Sequence, residues 1–179
     1  MAALKLMAKE KLADTETPVS AYLKLCQGRP DSALLESVEP HESVGRFSIV
    51  AFDPLASLEL WPERVLVRDE AGERQRPASD FFGLIKEMLA ELACPATPNL
   101  QAVGSLLGFV GYDSVRLIER LGPWPKNDLP TARLFFPSRY LVFDQARRLL
   151  TLVGLGQDER DCLAKIEETK ALLDSPLRL

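Results

Sequence analysis

SALLESVEPHESVGRFSIV, residues 32–50, holds two apolar runs of strand character around a polar turn, with Glu36 and Ser37 set in the first run. Short apolar runs bounded by turn residues read as β-strands. A carboxylate and a hydroxyl inside such a run are costly to bury unless something there bonds to them. The stretch therefore points to a β-rich fold and, at Glu36 and Ser37, to a binding site.

Working outward, Thr17 followed by Pro18 is a helix start, hydroxyl at the N-cap and proline at the first helical position, and Val19, Tyr22, Leu23 and Cys26 recur at helical spacing up to Gly28. Strands are expected at 33–38, 46–52, 56–61 and 65–68, punctuated by Pro40, Pro54 and Pro62. Links this short make antiparallel neighbours. Residues 79–92 form an amphipathic helix, with Phe81, Phe82, Ile85, Met88, Leu89 and Leu92 on its apolar side. A proline-containing loop, 94–101, leads to a strand pattern at 103–112 interrupted by Gly104, Gly108 and Gly111. Glycine inside a strand marks a bend or the close approach of another backbone or a ligand, and close approach is the reading adopted. Asp113 is placed to cap a helix ending at Gly122, with Val115, Leu117, Ile118 and Leu121 on its apolar side. A hairpin, 134–143 and 149–155, and a helix over 158–174 close the chain. The fold class is α+β, a mainly antiparallel sheet with packed helices.

Composition narrows the function. With 179 residues, 46% apolar and 27% charged, the chain can bury a sizeable core. A net charge of −4 argues against nucleic acid and anionic membrane surfaces, which require a positive patch. Small molecules or other proteins remain as partners. The three cysteines are odd in number and far apart, fitting reduced cytoplasmic thiols better than a disulfide framework or a zinc site. MAALKLMAKEKLAD, residues 1–14, has no long apolar core, and no run of about 18 apolar residues occurs, so the chain is expected to be neither secreted nor membrane-spanning. His41, the only histidine, sits beside a proline in an acidic turn and reads as a solvated loop residue. Neither metal-ligand spacing nor a phosphate-binding glycine loop is present, so catalytic residues, metal ligands and cofactors are all expected to be none in this chain.

A family resemblance sharpens this reading. LLES (34–37) followed by GRFSIV (45–50) resembles the N-terminal region of anthranilate synthase component I, and TPVSAYLKL (17–25), LLGFVGYDSVRLIERL (106–121) and FFPSRYLVFDQARRLLTLV (135–153) are similar to that family in the same order. The resemblance covers roughly 14–176, leaving 1–13 as an N-terminal extension and 177–179 as the start of a connection to a missing catalytic part. It implies a regulatory and structural domain, inactive alone, of a lyase that converts chorismate and glutamine or ammonia to anthranilate and pyruvate in tryptophan biosynthesis. The magnesium ligands and the catalytic histidine would lie in the C-terminal catalytic part. A glutamine amidotransferase subunit, that catalytic part and L-tryptophan as feedback effector are the implied partners.

Leu35, Glu36 and Ser37 match the family's tryptophan-contacting triplet: Leu35 as an apolar wall for indole, the Ser37 hydroxyl and local backbone for the ammonium and carboxylate. Arg46 and Ser48 stand where a second, polar wall could come close. On periodicity alone, Glu36 ending a strand and Ser37 bonding a neighbouring turn would serve as well. For Gly108, Gly111, Tyr112 and Asp113, sheet packing and helix capping suffice. The resemblance also implies apolar surface left bare around Phe109, Phe135 and Phe136, and with it self-association into a homo-oligomer. Two other readings stay open: the N-terminal domain of the related aminodeoxychorismate synthase component I, and a stand-alone amino-acid-binding or interaction module.

Overall fold

The computed structural model of the chain describes residues 3–36, 46–95, 97, 100, 102–124 and 128–177. Among the described residues eight strands form one sheet: β1 (Lys5–Leu12), β2 (Ala33–Leu35), β3 (Phe47–Leu60), β4 (Arg64–Asp69), β5 (Gly72–Pro77), β6 (Leu107–Val110), β7 (Ala132–Asp144) and β8 (Leu149–Gly156). Their order is β1-β8-β7-β3-β4-β5, with β2 also on β3 and β6 on β7, and every pairing is antiparallel. The α-helices of the described residues, α1 (Pro18–Cys26), α2 (Phe81–Glu91) and α3 (Glu159–Leu173), pack on it. The fold is α+β, as expected. Among the described residues no helix is long and apolar enough to cross a membrane.

Strand alternation sorts the core into two faces. On one, Val50, Phe52, Leu141, Phe143 and Leu150 pack against Ala21 and Leu25 of α1 and Ile166 and Leu173 of α3. On the other, Leu58, Val67, Phe136, Tyr140 and Val153 pack with Phe81, Leu84 and Met88 of α2. Local chemistry agrees at the helix starts. Thr17 and Ser20 form a reciprocal capping box, 3.1 Å and 2.9 Å, and Asp158 caps α3 by accepting from the Asp161 amide at 2.8 Å.

Several expectations need correction. Residues 1–13 are not merely an extension: Lys5–Leu12 is an edge strand, paired with β8 from Lys5↔Gly156 to Leu12↔Leu149. Its repeated lysines suit a sheet edge, where charge discourages further pairing. The strands expected at 46–52 and 56–61 are one strand, β3, and Pro54 is absorbed by a register shift between Pro54 and Ala56. Asp53, at φ +60°, makes that irregularity, held where Ser138 Oγ donates to its carbonyl at 2.7 Å and Arg139 pairs with its carboxylate at 2.8 Å.

The helix expected after Asp113 is only a short 3-10 segment, Tyr112–Leu117, with Gly111 at its N-cap and no side-chain cap. Asp113 instead pairs with Arg116 at 3.0 Å, and Ile118 faces solvent. In α2 the buried stripe is Phe81, Leu84 and Met88, continued by Leu92, while Phe82 and Leu89 are exposed. Phe135 and Phe136, expected on bare surface, are buried, because β7 is a central strand covered on both faces. Phe109 on the edge strand β6 is half exposed, with Val110 and Tyr112 exposed beside it.

Candidate functional site

The candidate site lies where β2 meets β3. Leu35 is opposite Ile49 and Leu34 opposite Val50. Because successive side chains leave a strand on opposite faces, Leu34 joins the core under α1 and α3, while Leu35 shares the other face with Phe47 and Ile49. Leu34, Leu35, Glu36, Phe47 and Ile49 line an open groove of about 400 Å3. Leu35 is 43% exposed although it sits in a strand, so its apolar surface is available to a ligand. Glu36 stands at the end of the groove as a carboxylate without an ion-pair partner among the described residues. Ser37 and His41 lie outside the described residues.

Arg46 and Ser48 do not join this groove. The Arg46 guanidinium grips Asp144 at both oxygens, Nε to Oδ1 at 2.9 Å and Nη2 to Oδ2 at 2.5 Å, and lies 4.9 Å from the Phe47 ring centroid. Asp144 is also approached by the Arg147 amide at 3.2 Å. The Arg46 hydrogen bonds hold the Asp144 carboxyl below the usual carboxylate range, against the opposing effect of burial. Arg46 thus ties the start of β3 to the end of β7. Ser48 is buried opposite Phe143, and its Oγ accepts from Gln145 Nε2 at 3.3 Å. It belongs to the face under α1 and α3, turned away from Leu35.

The residues the sequence reading passed over are Phe47 and Ile49. Their signal was present: in RFSIV they alternate with Ser48, so the face that hides the serine presents these two side chains beside Leu35. With Leu35 they give the groove an apolar floor, and with Glu36 a negative end. That combination suits a flat apolar group carrying an ammonium.

No family model matches the chain. Over 172 residues it is 36% identical to anthranilate synthase component 1 of Thermus thermophilus, an alignment taking in 94% of this chain and 36% of that protein. The chain is a relative of anthranilate synthase component I. A second such protein, from Pseudomonas aeruginosa, is 33% identical over 179 residues, again 94% of this chain and 36% of the relative. The crystal structure of anthranilate synthase component I from Streptococcus pneumoniae matches the fold with a TM-score of 0.61, over 93% of this chain and 37% of that one, at 23% identity. The chain thus spans about a third of the length of these anthranilate synthase components.

Proposed function

We propose that this chain is the N-terminal regulatory and structural domain of an anthranilate synthase component I-like lyase, carrying one wall of a tryptophan feedback site at Leu35, Glu36 and Ser37. The groove at the β2–β3 junction is the observation that carries this reading: an apolar floor of Leu35, Phe47 and Ile49, ending at the Glu36 carboxylate. An indole fits the floor, and its amino-acid ammonium meets Glu36, with Ser37 next in the chain. The conversion of chorismate to anthranilate and pyruvate, with its magnesium ions, belongs on this reading to the two thirds of the relatives' length that this chain does not span. A glutamine amidotransferase subunit and that remaining part are the proposed protein partners, and the cytoplasm the proposed compartment. The domain runs to about residue 176 and includes β1, whose pairing with β8 makes it part of the sheet. The anthranilate branch is preferred to the aminodeoxychorismate one because both curated relatives described above carry the anthranilate name.

A one-sided groove implies weak binding. Burying an indole of ~200 Å2 at about 25 cal/mol/Å2 contributes roughly 5 kcal/mol, so a single wall forfeits about 2.5 kcal/mol, close to two orders of magnitude in affinity. NMR titration of the chain with L-tryptophan should move the amides of Leu34, Leu35 and Ile49, and Ser37→Ala should abolish the response. The same substitution in a protein of full family length should relieve inhibition of anthranilate formation by tryptophan. Full inhibition of that variant would mean that the LLES segment is structural.

A further inference from the structure

A larger cavity, about 670 Å3, shares no lining residue with the β2–β3 groove and lies between the sheet and α2. Leu58 of β3 and Val67 of β4 close its bottom and are almost wholly buried; the apolar surface it presents comes from half-buried Leu55 of β3 and the edges of Leu84 and Met88 of α2, with Leu92 just beyond the helix. The volume lies within the range of small-molecule sites, roughly 300–1,000 Å3. Its charged lining is one-sided. Glu87 and Glu91 come from α2, Asp69 and Glu70 from the end of β4 and its turn, and Asp158 and Asp161 from the start of α3. Arg74, the only basic residue in the lining among the described residues, is already paired with Asp69.

Not all six carboxylates are free. Asp158 caps α3, Asp161 pairs with Lys165 at 2.9 Å, and Glu70 accepts from Gln157 Nε2 at 3.3 Å, a bond that joins the β4–β5 turn to the β8–α3 loop beside the cavity. Glu87 and Glu91 have no ion-pair partner among the described residues and stand one helical turn apart, a like-charge spacing that works against the helix. Apolar walls beneath two unneutralised carboxylates match a molecule with an apolar body and a positive head. A zwitterionic amino acid would bring its own carboxylate to a negative rim, so this cavity discriminates against the ligand proposed for the β2–β3 groove.

We propose that the cavity between α2 and the sheet binds a small amphipathic cation, its aromatic or branched body over Leu55 and the open edges of Leu84 and Met88 and its ammonium at Glu87 and Glu91. The test uses the 179-residue chain with two probes of one shape and opposite charge, 4-phenylbutylamine and 4-phenylbutyrate, followed by NMR. The amine should shift Leu55, Leu84 and Met88 and bind at least about tenfold more tightly than the carboxylate, with an affinity that falls as salt is raised. Glu87→Gln with Glu91→Gln should weaken the amine about fivefold without lowering thermal stability, since a like-charge pair is removed. Glu87→Lys with Glu91→Lys should invert the preference toward 4-phenylbutyrate. Equal affinity for the two probes, shifts confined to Leu34–Glu36, or no shift at about 10 mM amine, a concentration that detects even very weak sites, would each overturn the proposal.

Discussion

Gly108→Ala tests how tightly β6 is held to β7. Gly108 lies opposite Leu134 at φ +143°, a conformation rarely open to L residues. A Cβ built there falls 2.0 Å from the Arg133 carbonyl oxygen, 2.9 Å from its carbon and 3.1 Å from the Leu134 Cα, all of them backbone atoms of a central strand. No rotamer change relieves such a clash; β6 must move by more than 1 Å from β7 to restore ordinary contact. The backbone conformation costs about 1–3 kcal/mol. Loss of one or two ladder hydrogen bonds adds about 1 kcal/mol each. Complete detachment of β6 sets the upper limit, so a net loss of about 3 kcal/mol is expected, which in a chain of this size lowers the melting temperature by about 6–12 °C. Calorimetry reads the global effect, and hydrogen exchange at Leu107–Val110 reads the local one, separating a strand that peels away from a sheet destabilised throughout. A variant that melts within about 2 °C of the parent, with those amides still protected, would refute the close-approach argument.

Gly83→Ala should act in the opposite direction: this glycine is in α2 with no atom within 4 Å of an added Cβ, so the change should stabilise by about 0.8–1 kcal/mol and raise the melting temperature by about 2–4 °C in calorimetry. The Arg46–Asp144 pair should appear in acid unfolding. Because the folded carboxyl titrates below its unfolded value, its contribution is fully present above about pH 4 and is lost as pH falls through the depressed native value; urea midpoints of Asp144→Asn should therefore change less with pH below about pH 4 than those of the parent, and equal acid slopes would defeat the assignment.

What the sequence made legible follows from where the chain's signals are local. The Thr17–Pro18 helix start, the β7–β8 hairpin and α3 are marked by capping residues or strong periodicity, and each is present within a few residues of its expected bounds. β5, GERQRP, has no apolar alternation because all of its residues are exposed, and it becomes a strand only through pairing with β4. Ion pairs from Arg68 to Glu73 and from Arg76 to Asp80 accompany it. β1 was obscure for a similar reason, since a lysine-rich edge strand resembles a solvated tail until a partner strand is known. Pro54 looked like a terminator because the rescue of β3 lies 85 residues away, at Ser138 Oγ on the Asp53 carbonyl. The glycines were read more securely: Gly108 and Gly111 would each place a Cβ within 2.7 Å of a neighbouring carbonyl oxygen. At the candidate site, Leu35 and Glu36 could be named from the local match, whereas Phe47 and Ile49 required the register between β2 and β3.

That register also explains why open apolar surface collects on one side of the sheet. The face under α1 and α3 is closed by side chains that are almost wholly buried, among them Phe52, Leu141, Leu150, Ile166 and Leu173. A ligand could enter there only by displacing a helix, at a cost of about 1.5–3 kcal/mol for each large side chain re-exposed, more than a small molecule recovers from a partial pocket. Among the described residues the opposite face carries a single α-helix, α2, and the half-buried Phe47 and Ile49 remain beside Leu35 at its far end. Binding there covers apolar surface that the fold has left uncovered, without breaking existing packing. A one-residue slip of β2 against β3 would exchange Leu34 and Leu35 and turn the groove's apolar wall into the core. Hence the same alternation that buries Ser48 among the helices leaves Leu35, Phe47 and Ile49 to form the groove.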